Sequence, residues 1–299
     1  MSGSRIVIAG GSGFLGSALI RRLRAGGHDV TLLTRRPRGA GDVAWDPSAP
    51  TGAWRSVVAE ADAVVNLAGE PIESQRWTPE RKAAILHSRV RATQAIVRAI
   101  TGAPRAPAVL LNASAIGIYG PHAEDVVTEA TPAGTDFLAQ LCVAWEREAA
   151  PASARSRVVL LRTGLVLDRD AGALPRMAMP FHFFVGGPLG SGRQYWSWIH
   201  VDDWVSMVLW ALEDGSAAGP INITAPTPVT NREFASTLGR VLKRPALLPA
   251  PGFALRIALG EMADALILSG QRVLPARALA SGFRFQHEGL EQALRALYR

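Results

Sequence analysis

The sequence predicts an α/β fold: a doubly wound parallel sheet followed by a smaller α+β region. In the first half, short runs of apolar, mostly β-branched residues alternate with helical patterns. Such continuous apolar strands are typical of a parallel sheet whose two faces are covered by helices. Beyond about Arg162 the alternation stops, and glycines, prolines and tryptophans become frequent. We therefore expect a sheet domain over residues 1–165, with elements returning to it up to about residue 230, and a smaller region over 166–299.

Each predicted element depends on a local pattern. Leu15, Leu19 and Leu23 recur at helical spacing before a pair of glycines. Thr230 and Glu233 have the spacing of a capping box at a helix start. The predicted strands are Ile6–Ala9, Val30–Leu33, a short one near Val43, Ala63–Leu67, Val109–Asn112, Val158–Leu161, Ile221–Thr224 and Phe283–Phe285. The other predicted helices are Thr78–Ile100, Asp136–Ala149, one from Thr230 to about Lys243, Phe253–Leu268 and a last one at the C-terminus.

The composition excludes several classes of protein. With 48% apolar and 19% charged residues the chain is too apolar for disorder, and its single cysteine excludes a disulfide framework. No apolar run reaches the about 18 residues of a transmembrane helix, and the N-terminus has no signal-peptide pattern, so we expect a cytoplasmic protein without a membrane partner. The net charge of +7 comes mainly from arginines scattered over many segments. Because they form no basic block, nucleic acid is not an expected partner.

The strongest local signal is a glycine-rich turn between the first strand and the first helix, Gly10-Gly11-Ser12-Gly13-Phe14-Leu15-Gly16. In such a turn Gly10 allows the tight bend, Gly13 lets the backbone approach a diphosphate, and Gly16 permits close contact between helix and strand. The helix N-terminus then offers N–H groups and a partial positive charge to phosphates. A turn without a ligand is the alternative, but the strand–turn–helix context favours dinucleotide binding in a Rossmann-type fold.

Two further strand ends refine the expected cofactor. The second strand runs into Arg35 and Arg36, where an NAD-binding protein usually has an acidic residue for the ribose 2′-hydroxyl. Two guanidinium groups suit a 2′-phosphate, which predicts NADP(H) over NAD(H); the alternative is that both arginines are simply solvated. The fourth strand ends in Asn66-Leu67-Ala68-Gly69. We expect this stretch to border the nicotinamide-side ribose, because ligands lie at the carboxyl ends of parallel strands.

Three stretches of the sequence resemble the motifs of a known family, the extended, epimerase/dehydratase-like short-chain dehydrogenases/reductases. The Gly10-x-x-Gly13-x-x-Gly16 spacing resembles its glycine motif, and the Asn66–Gly69 stretch resembles its Asn-Ala-Ala-Gly motif. The stretch Asn112–Gly120 is similar to its Ser-Ser-x-x-x-Tyr-Gly motif. A narrower resemblance, to the YfcH-like group of NAD-dependent epimerase family proteins, covers nearly the whole chain. The stretches that carry it are Asn66–Ile72, Arg76-Trp77-Thr78, Ser88-Arg89, Trp196–Asp203, Asn222–Pro226 and a tail over 250–299 that resembles the group's C-terminal domain of unknown function.

The resemblance implies an acid/base pair that this chain lacks. In the superfamily a Tyr moves the proton, and a Lys four residues later holds the nicotinamide ribose and lowers the pKa of the Tyr. Counting back from Glu146, which matches a recurrent Glu of the same helix, those two positions hold Leu138 and Cys142. No Tyr-x-x-x-Lys occurs anywhere in the sequence. The fold and the cofactor site carry over as expectations, with Arg89 among the cofactor-binding residues, but catalysis by the usual pair does not.

Tyr119 is the first candidate for a different proton donor. It follows the fifth strand near the cofactor edge, and with an unperturbed pKa of about 10 it needs a nearby cation, such as Arg89 or Arg162. Ser114 lies close to the position of the family's helper hydroxyl. The alternatives are that Tyr119 only packs there, and that Cys142 is a small buried apolar residue and has no redox role.

Three residues are candidates for the substrate side. Glu70 directly follows the cofactor-side loop, Arg193 follows a glycine-rich loop able to close over a ligand, and His200 lies among tryptophans beside Asp202 and Asp203. A solvated loop position is the alternative for the first two. The spacing of His200, Asp202 and Asp203 does not favour a metal site. Asp202 or Asp203 is a candidate for the cap of a following helix.

Two functions from different classes follow. The first is an NADP-dependent oxidoreductase or epimerase-like enzyme, acting on a small polar or sugar-nucleotide-like substrate with a non-standard proton donor. The second is a catalytically silent NADP(H)-binding protein that senses redox state or regulates a partner. The aromatic-rich second region favours the first, and the missing Tyr/Lys pair favours the second. By analogy with the superfamily, a homodimer is left open.

Overall fold

The computed structural model describes residues 3–49 and 51–299. Its strands are β1 (Arg5–Ala9), β2 (Asp29–Thr34), β3 (Asp42–Ala44), β4 (Ala63–Asn66), β5 (Val109–Ala115), β6 (Val126–Val127), β7 (Arg157–Thr163), β8 (Leu165–Leu167), β9 (Tyr195–Trp196), β10 (Trp198–His200), β11 (Gly219–Ile223), β12 (Val229–Thr230) and β13 (Arg272–Val273). Its α-helices are α1 (Phe14–Ala25), α2 (Trp54–Glu60), α3 (Pro79–Thr101), α4 (Phe137–Ala149), α5 (Leu174–His182), α6 (Val201–Glu213), α7 (Asn231–Leu242), α8 (Gly252–Leu259), α9 (Glu261–Ala263), α10 (Ala276–Ala280) and α11 (Leu290–Leu297). Two 3₁₀ segments and one π-helical turn are also present: Ile116–Tyr119, Ala150–Ala154 and Asp264–Leu268.

Seven of the strands form one parallel sheet in the order β3-β2-β1-β4-β5-β7-β11. The chain starts in the middle at β1, builds outward through β2 and β3, and then crosses to the other side at β4. In open α/β sheets, ligands bind where the strand order reverses, which here is the carboxyl end of β1 and β4. The predicted fold class is confirmed, while the division of the chain near residue 165 stays a prediction.

Helices cover both faces of this sheet. One face packs against α1 and α6 through side chains such as Leu19 and Trp204. The other packs against α2 and α3 through side chains such as Trp54 and Ile96. All four side chains are at most 2% exposed, and burial of each contributes about 2 kcal/mol. A sheet held from both sides provides a rigid edge on which loops can position a ligand.

The longest helix, α3, has 23 residues. The Thr78 hydroxyl caps it by accepting from the Arg81 amide at 3.1 Å, and Pro79 occupies the first turn, where its missing N–H costs nothing. Its buried side chains lie along one face of the helix. The described part of the chain contains no helix that is both long and apolar enough to cross a membrane.

The C-terminal tail docks at the carboxyl edge of the sheet. Strand β13 pairs in parallel with β6. The Ser197 hydroxyl donates to the Gln271 carbonyl at 2.8 Å and accepts from the Val273 amide at 2.9 Å. The His122 amide donates to the Gly270 carbonyl at 3.1 Å. These bonds tie the tail to the loops that follow β5 and precede β10, so the tail partly covers the edge where a ligand would bind.

The predicted strand Phe283–Phe285 is wrong. These residues are irregular, and the two phenylalanine rings pack edge to face, 4.9 Å apart, against the sheet core. The outer edge of β11, which an added strand would need, is already occupied. Glu129 accepts from the Asn222 amide at 3.1 Å, and Arg277 donates to the Pro220 carbonyl at 2.8 Å. An alternating pattern indicates which side chains are buried, but a strand also needs a neighbouring strand with a free edge to pair with.

The single helix predicted over Phe253–Leu268 is also wrong, because the segment is divided. Helix α8 ends where the Gly260 amide donates to the Arg256 carbonyl at 2.8 Å, and Gly260 then takes a φ of +63°. That backbone conformation lies outside the right-handed helical region. The chain continues as α9 and the π-helical turn. The apolar periodicity runs through the break although no side chain of α8 is buried, and Phe253 and Ile257 of that helix are 67% and 73% exposed.

The predicted capping box at the start of α7 is confirmed. The Thr230 hydroxyl accepts from the Glu233 amide at 3.2 Å, and the Glu233 carboxylate accepts from the Thr230 amide at 2.8 Å. We expect Thr230→Ala to lower the free energy of unfolding by about 1 kcal/mol in urea denaturation. As a control, Ser236→Ala removes an exposed hydroxyl from the same helix and should change it by less than about 0.5 kcal/mol. Equal effects of the two substitutions would contradict the capping role.

Candidate functional site

The glycine turn after β1 is packed so tightly that two of its positions exclude a side chain. Gly10 has a φ of +77°, and a Cβ there would lie 2.6 Å from the backbone carbon of Leu67. A Cβ on Gly16 would lie 2.4 Å from the Gly11 Cα. At Gly13, by contrast, the nearest protein atom would be the Gly10 carbonyl oxygen, 3.4 Å away. The protein therefore leaves no room for a side chain at Gly10 and Gly16. Gly13 faces open space in which a ligand can approach the backbone.

The N-terminus of α1 points at this open space. Its cap residue, Gly13, is extended and exposed, and no side chain caps the helix. Ser12 is exposed as well, while Phe14 and Leu15 turn inward and pack on the sheet core. A helix N-terminus in this condition carries N–H groups and a partial positive charge that suit a phosphate. The predicted phosphate loop thus has the geometry that its motif requires.

The loop after β2 presents two arginines to solvent. Arg35 and Arg36 are exposed, and among the described residues no side chain hydrogen-bonds or ion-pairs with either guanidinium group. The loop itself is ordered by Asp42, whose carboxylate accepts from the Arg38 amide at 2.7 Å and the Gly39 amide at 3.0 Å. These amide bonds hold the pKa of Asp42 below its ordinary value. Asp42 is therefore engaged with the backbone, which leaves the two guanidinium groups available to an anion.

The loop after β4 is supported from below by buried amides. Asn66 donates to the Asn112 side-chain oxygen at 2.7 Å and to the Thr93 hydroxyl at 3.0 Å, and it accepts from the Ala68 amide at 3.2 Å. Trp145 adds a bond to the Thr93 hydroxyl at 3.0 Å. Asn66, Thr93 and Asn112 are fully buried. Asn66 thus shapes the loop from beneath, and the backbone of Leu67, Ala68 and Gly69 forms the surface.

Arg89 lies directly against this loop. A Cβ on Gly69 would come within 3.1 Å of the Arg89 side chain. The guanidinium donates to the Glu70 carbonyl at 2.9 Å and lies 5.1 Å from the Trp145 ring centroid. Burial lowers the pKa of Arg89 from its usual high value. A guanidinium group is therefore held at the carboxyl end of β4.

Ser114, Tyr119 and Arg162 belong to one buried chain of hydrogen bonds. Ser114 donates to Glu146 at 2.6 Å. Arg162 donates to both Glu146 oxygens at 2.9 Å and to the Tyr119 hydroxyl at 3.0 Å. The Tyr119 hydroxyl donates in turn to the side-chain oxygen of Asn222 at 2.6 Å. Arg162 therefore lies next to Tyr119, as expected from the sequence. The chain of hydrogen bonds runs from the end of β5 to β11.

This arrangement does not favour Tyr119 as the proton donor. The side chain is 1% exposed, and its hydroxyl hydrogen already lies on Asn222. Burial raises the pKa of Tyr119 more than the neighbouring Arg162 lowers it. Ser114 likewise directs its hydrogen inward to Glu146. The alternative stated for Tyr119, a packing residue, is the one that the geometry supports.

The two positions of the missing acid/base pair differ in their surroundings. Leu138 is half-buried, and a Cβ on Gly117, just after β5, would lie 3.3 Å from its Cβ. Cys142 is buried, and burial raises its pKa to about 12. A thiol in that condition is protonated and unreactive at neutral pH. The structure therefore favours a packing role for Cys142.

No contact among the described residues joins Glu70 and Arg193. Glu70 follows the β4 loop, and its backbone amide donates to the Ser88 hydroxyl at 3.0 Å. Its carboxylate lies 3.4 Å from Arg81 and is 38% exposed. Arg193 is exposed on the loop before β9, where its amide donates to the Ser191 hydroxyl at 3.2 Å. Glu70 is thus placed at the cofactor edge, whereas no contact in the described residues brings Arg193 there.

His200 has a structural task that the sequence did not indicate. Its Nδ1 accepts from the Asp202 amide at 3.1 Å, so His200 caps α6 and the prediction of an aspartate cap is wrong. Asp203 accepts from the amides of Gln286 and His287. Burial and the nearby His287 lower the pKa of His200 to about 4, so it is neutral at pH 7. Asp202 and His287 each bring a ligand atom to within 4.8 Å of His200, a cluster that the sequence missed because His287 is remote in the chain.

The sequence also missed most of the buried polar groups beneath the site. Thr93, Trp145 and Asn222 were not identified as site residues, although each bonds to one that was or to its neighbour. The sequence pattern did not indicate them, because each lies on a different helix or strand and only folding brings them near the site. A polar residue in an otherwise apolar strand, such as Asn222 in β11, is the clue that was available.

Comparisons with known proteins show which family this chain resembles. The model of the NAD dependent epimerase/dehydratase family matches residues 6–224, and a domain of unknown function, DUF1731, matches residues 250–297. Epimerase family protein SDR39U1 homolog, chloroplastic, of Arabidopsis thaliana is 44% identical over 98% of this chain and 86% of its own length. Epimerase family protein YfhF of Bacillus subtilis is 42% identical over 98% of this chain and 97% of its own.

Among solved structures, that of the human epimerase family protein SDR39U1 (isoform2) with NADPH superposes with a TM-score of 0.91. It is 36% identical and covers 98% of this chain and 99% of its own. The resemblance drawn from the motifs is confirmed, including the small C-terminal domain. By the extent of these matches, the chain belongs to the NAD dependent epimerase/dehydratase family.

Proposed function

We propose that this protein binds NADP(H) and uses it as an oxidoreductase acting on a small molecule. The observation that carries the proposal is the pair of exposed arginines at the end of β2, one strand away from a glycine turn that leaves its backbone open. The same β2 end in an NAD-binding protein usually carries a carboxylate for the ribose hydroxyls. The human relative solved with NADPH, at 36% identity, supports this choice of cofactor.

The residues present suit the parts of the cofactor one by one. The diphosphate would lie at the N-terminus of α1, against the backbone of Ser12 and Gly13. Arg35 and Arg36 would pair with the 2′-phosphate, and the backbone of Leu67–Gly69 with Arg89 would border the nicotinamide-side ribose. When bound, the cofactor supplies the hydride, and the protein orients it and excludes water. The charged side chains assigned to the cofactor here, Arg35, Arg36 and Arg89, are basic, which suits an anionic dinucleotide.

The choice of cofactor is tested by removing the two charges. Arg35→Ala with Arg36→Ala should weaken NADPH binding by about 10-fold to 100-fold in isothermal titration, because two charge-assisted bonds are lost. NADH binding should change by less than about threefold, since it has no 2′-phosphate.

A matched control removes the same charge elsewhere. Arg21→Ala with Arg22→Ala takes two exposed arginines from the far end of α1 and should leave both affinities unchanged. Equal losses for NADPH and NADH in the Arg35/Arg36 variant would refute the role in phosphate recognition.

A second candidate function is a catalytically silent NADP(H)-binding protein. The observation that favours it is that Tyr119 and Ser114 direct their hydroxyl hydrogens to internal acceptors. A sensor needs only the cofactor site and a partner, whereas an enzyme also needs a substrate that can react there. Oxidation of NADPH, followed at 340 nm across a panel of carbonyl compounds, separates the two functions. Tight NADPH binding without turnover of any compound would favour the catalytically silent protein.

A further inference from the structure

The surface beside the cofactor edge at the end of β5 is apolar. Five side chains form it, and we call them the apolar floor: Ile72, Trp77, Ile116, Phe137 and Leu138. All five are half-buried, and four of them rest on one buried cluster that includes Tyr119 and Cys142. A half-buried apolar side chain has a buried side that packs and an exposed side that is free to contact a ligand.

Direct contacts join the members of the apolar floor. The Trp77 ring packs edge to face on Phe137, with centroids 5.0 Å apart, and its Nε1 donates to the Ile72 carbonyl at 2.8 Å. Leu138 follows Phe137 in α4 and lies against Gly117, which belongs to the 3₁₀ segment that Ile116 begins. These contacts place the five residues close together.

This surface lies where the reactive end of the cofactor is expected. Strands β4 and β5 are neighbours, with Asn66 opposite Asn112, so the loop through Gly69 and the end of β5 share one edge of the sheet. Arg89 holds that loop and contacts Trp145 of α4, the helix that also carries Leu138. A substrate stacked beside the nicotinamide would therefore rest on apolar and aromatic side chains.

The protonatable groups of the same edge are engaged elsewhere. Ser114 donates to Glu146, and Tyr119 donates to Asn222. The Asp136 carboxylate caps α4 by accepting from the Ala139 amide at 2.8 Å. The Glu70 carboxylate accepts a hydrogen bond from the Arg81 guanidinium at 3.4 Å. The Lys82 Nζ lies 5.1 Å from the Phe137 ring centroid and donates to the Glu261 carboxylate. Each of these groups is therefore bound to a partner within the protein.

From this geometry we propose that the hydride acceptor is a planar, apolar, electron-poor dicarbonyl compound of the quinone class. The proposal rests on the proposed NADP(H)-dependent oxidoreductase function and deepens it. An aldehyde or ketone needs a proton at its oxygen as the hydride arrives, because a localised alkoxide is too basic to form unaided. A quinone spreads the incoming electron pair over its ring and its second oxygen, and so reacts without that help.

The balance of the step is complete with water as the proton source. The C4–H bond of the dihydronicotinamide of NADPH breaks with its electron pair, and that hydride forms an O–H bond at one oxygen of the quinone. The nicotinamide is oxidised to NADP⁺, and the quinone is reduced by two electrons to the anion of its hydroquinone. That anion takes one proton from water. The net reaction is NADPH, quinone and one proton giving NADP⁺ and hydroquinone.

A sugar nucleotide suits this surface less well. Its diphosphate needs unengaged cations and its hydroxyls need polar partners. Arg81 already binds the Glu70 carboxylate and the Ser74 hydroxyl, and Arg89 binds two backbone carbonyls. The apolar floor offers carbon and ring edges where a sugar would need hydrogen-bond partners.

The test follows NADPH oxidation by the purified protein with three probes: 1,4-naphthoquinone, benzaldehyde and UDP-glucose. We expect kcat/KM for naphthoquinone to exceed that for either other probe by at least about tenfold, after subtraction of the reaction without protein. We also expect a primary isotope effect from NADPH deuterated at the transferred position and no solvent isotope effect, because the proton is added after the hydride.

A variant connects the activity to the apolar floor. Leu138→Asp places a charge on the surface and should lower naphthoquinone turnover by at least about tenfold, while NADPH affinity stays within about twofold. The matched control Leu279→Asp changes a 45% exposed leucine on α10 and should alter neither. Should Leu138→Asp fail to fold, Leu138→Asn carries the same expectation.

The outcomes distinguish the two proposals. If NADPH does not bind, the proposed function itself fails. If NADPH binds and benzaldehyde or UDP-glucose is turned over in preference to the quinone, the quinone assignment is overturned and the oxidoreductase function stands. If NADPH binds and none of the three probes is turned over, the quinone assignment is overturned and the silent NADP(H)-binding function replaces the enzyme. Equal losses in the Leu138 and Leu279 variants would also overturn the role of the apolar floor.

Discussion

Replacing Arg162 with methionine is expected to lower the free energy of unfolding by about 3–5 kcal/mol, because it leaves the Glu146 carboxylate buried without its partner. The two side chains are each 11% exposed and meet through two hydrogen bonds of 2.9 Å. The Tyr119 hydroxyl loses a donor at the same time. Urea denaturation at pH 7, followed by circular dichroism, measures the loss.

Two comparison variants isolate the cause. Arg295→Met breaks a pair with Glu291 whose side chains are 52% and 43% exposed, and this should cost less than about 1 kcal/mol. Arg162→Met combined with Glu146→Leu removes both buried charges and should recover part of the lost stability. A double variant as unstable as Arg162→Met, or less stable, would show that the unpaired carboxylate is not the reason.

Substituting Gly16 by alanine is expected to weaken NADPH binding about 100-fold, which corresponds to about 3 kcal/mol. The new Cβ would lie 2.4 Å from the Gly11 Cα and 2.7 Å from the Gly10 carbonyl oxygen. Both are backbone atoms of the turn, so relief requires the turn to move away from the helix N-terminus that is to hold the diphosphate. Isothermal titration gives the affinity, and thermal unfolding without ligand gives the accompanying loss of stability.

Two other glycines make the result specific. Gly13→Ala should keep the stability of the free protein, because its Cβ meets only one protein atom at 3.4 Å, yet it should still weaken NADPH binding by crowding the ligand. Gly215→Ala, in a loop with no atom within 4 Å of the new Cβ, should change neither property. If Gly13→Ala bound NADPH as tightly as the unmodified protein, the diphosphate would have to lie elsewhere.

The sheet could be predicted because each strand is a short apolar stretch that can be recognised without knowledge of its partners. Val64 and Val65 of β4 and Leu110 and Leu111 of β5 are fully buried, and strands covered on both faces are apolar throughout. The capping box of α7 was equally readable, since both of its partners lie within four residues. Phe283–Phe285 failed for the complementary reason. Its pattern was strand-like, but pairing depends on a distant edge that Glu129 and Arg277 occupy.

The candidate site divides in the same way. The glycine turn and the arginines after β2 are contiguous motifs, so their place in the fold follows from the strand that precedes each. Tyr119 lies where the sequence placed it, just past β5, but its neighbours decide its chemistry. Asn222 comes from 103 positions away and takes the hydroxyl hydrogen. No local pattern reports such a partner.

What the sequence alone determined is the parallel α/β sheet and, in the glycine turn, a backbone shape that only residues without side chains can adopt. Both are properties of short stretches of chain, governed by steric limits and by the burial of neighbouring apolar groups. What only the tertiary structure decided is which polar groups remain free to react. Hydrogen-bond partners are set by distances in space, and the fold directs Ser114 and Tyr119 inward while it leaves the apolar side chains around Leu138 at the surface.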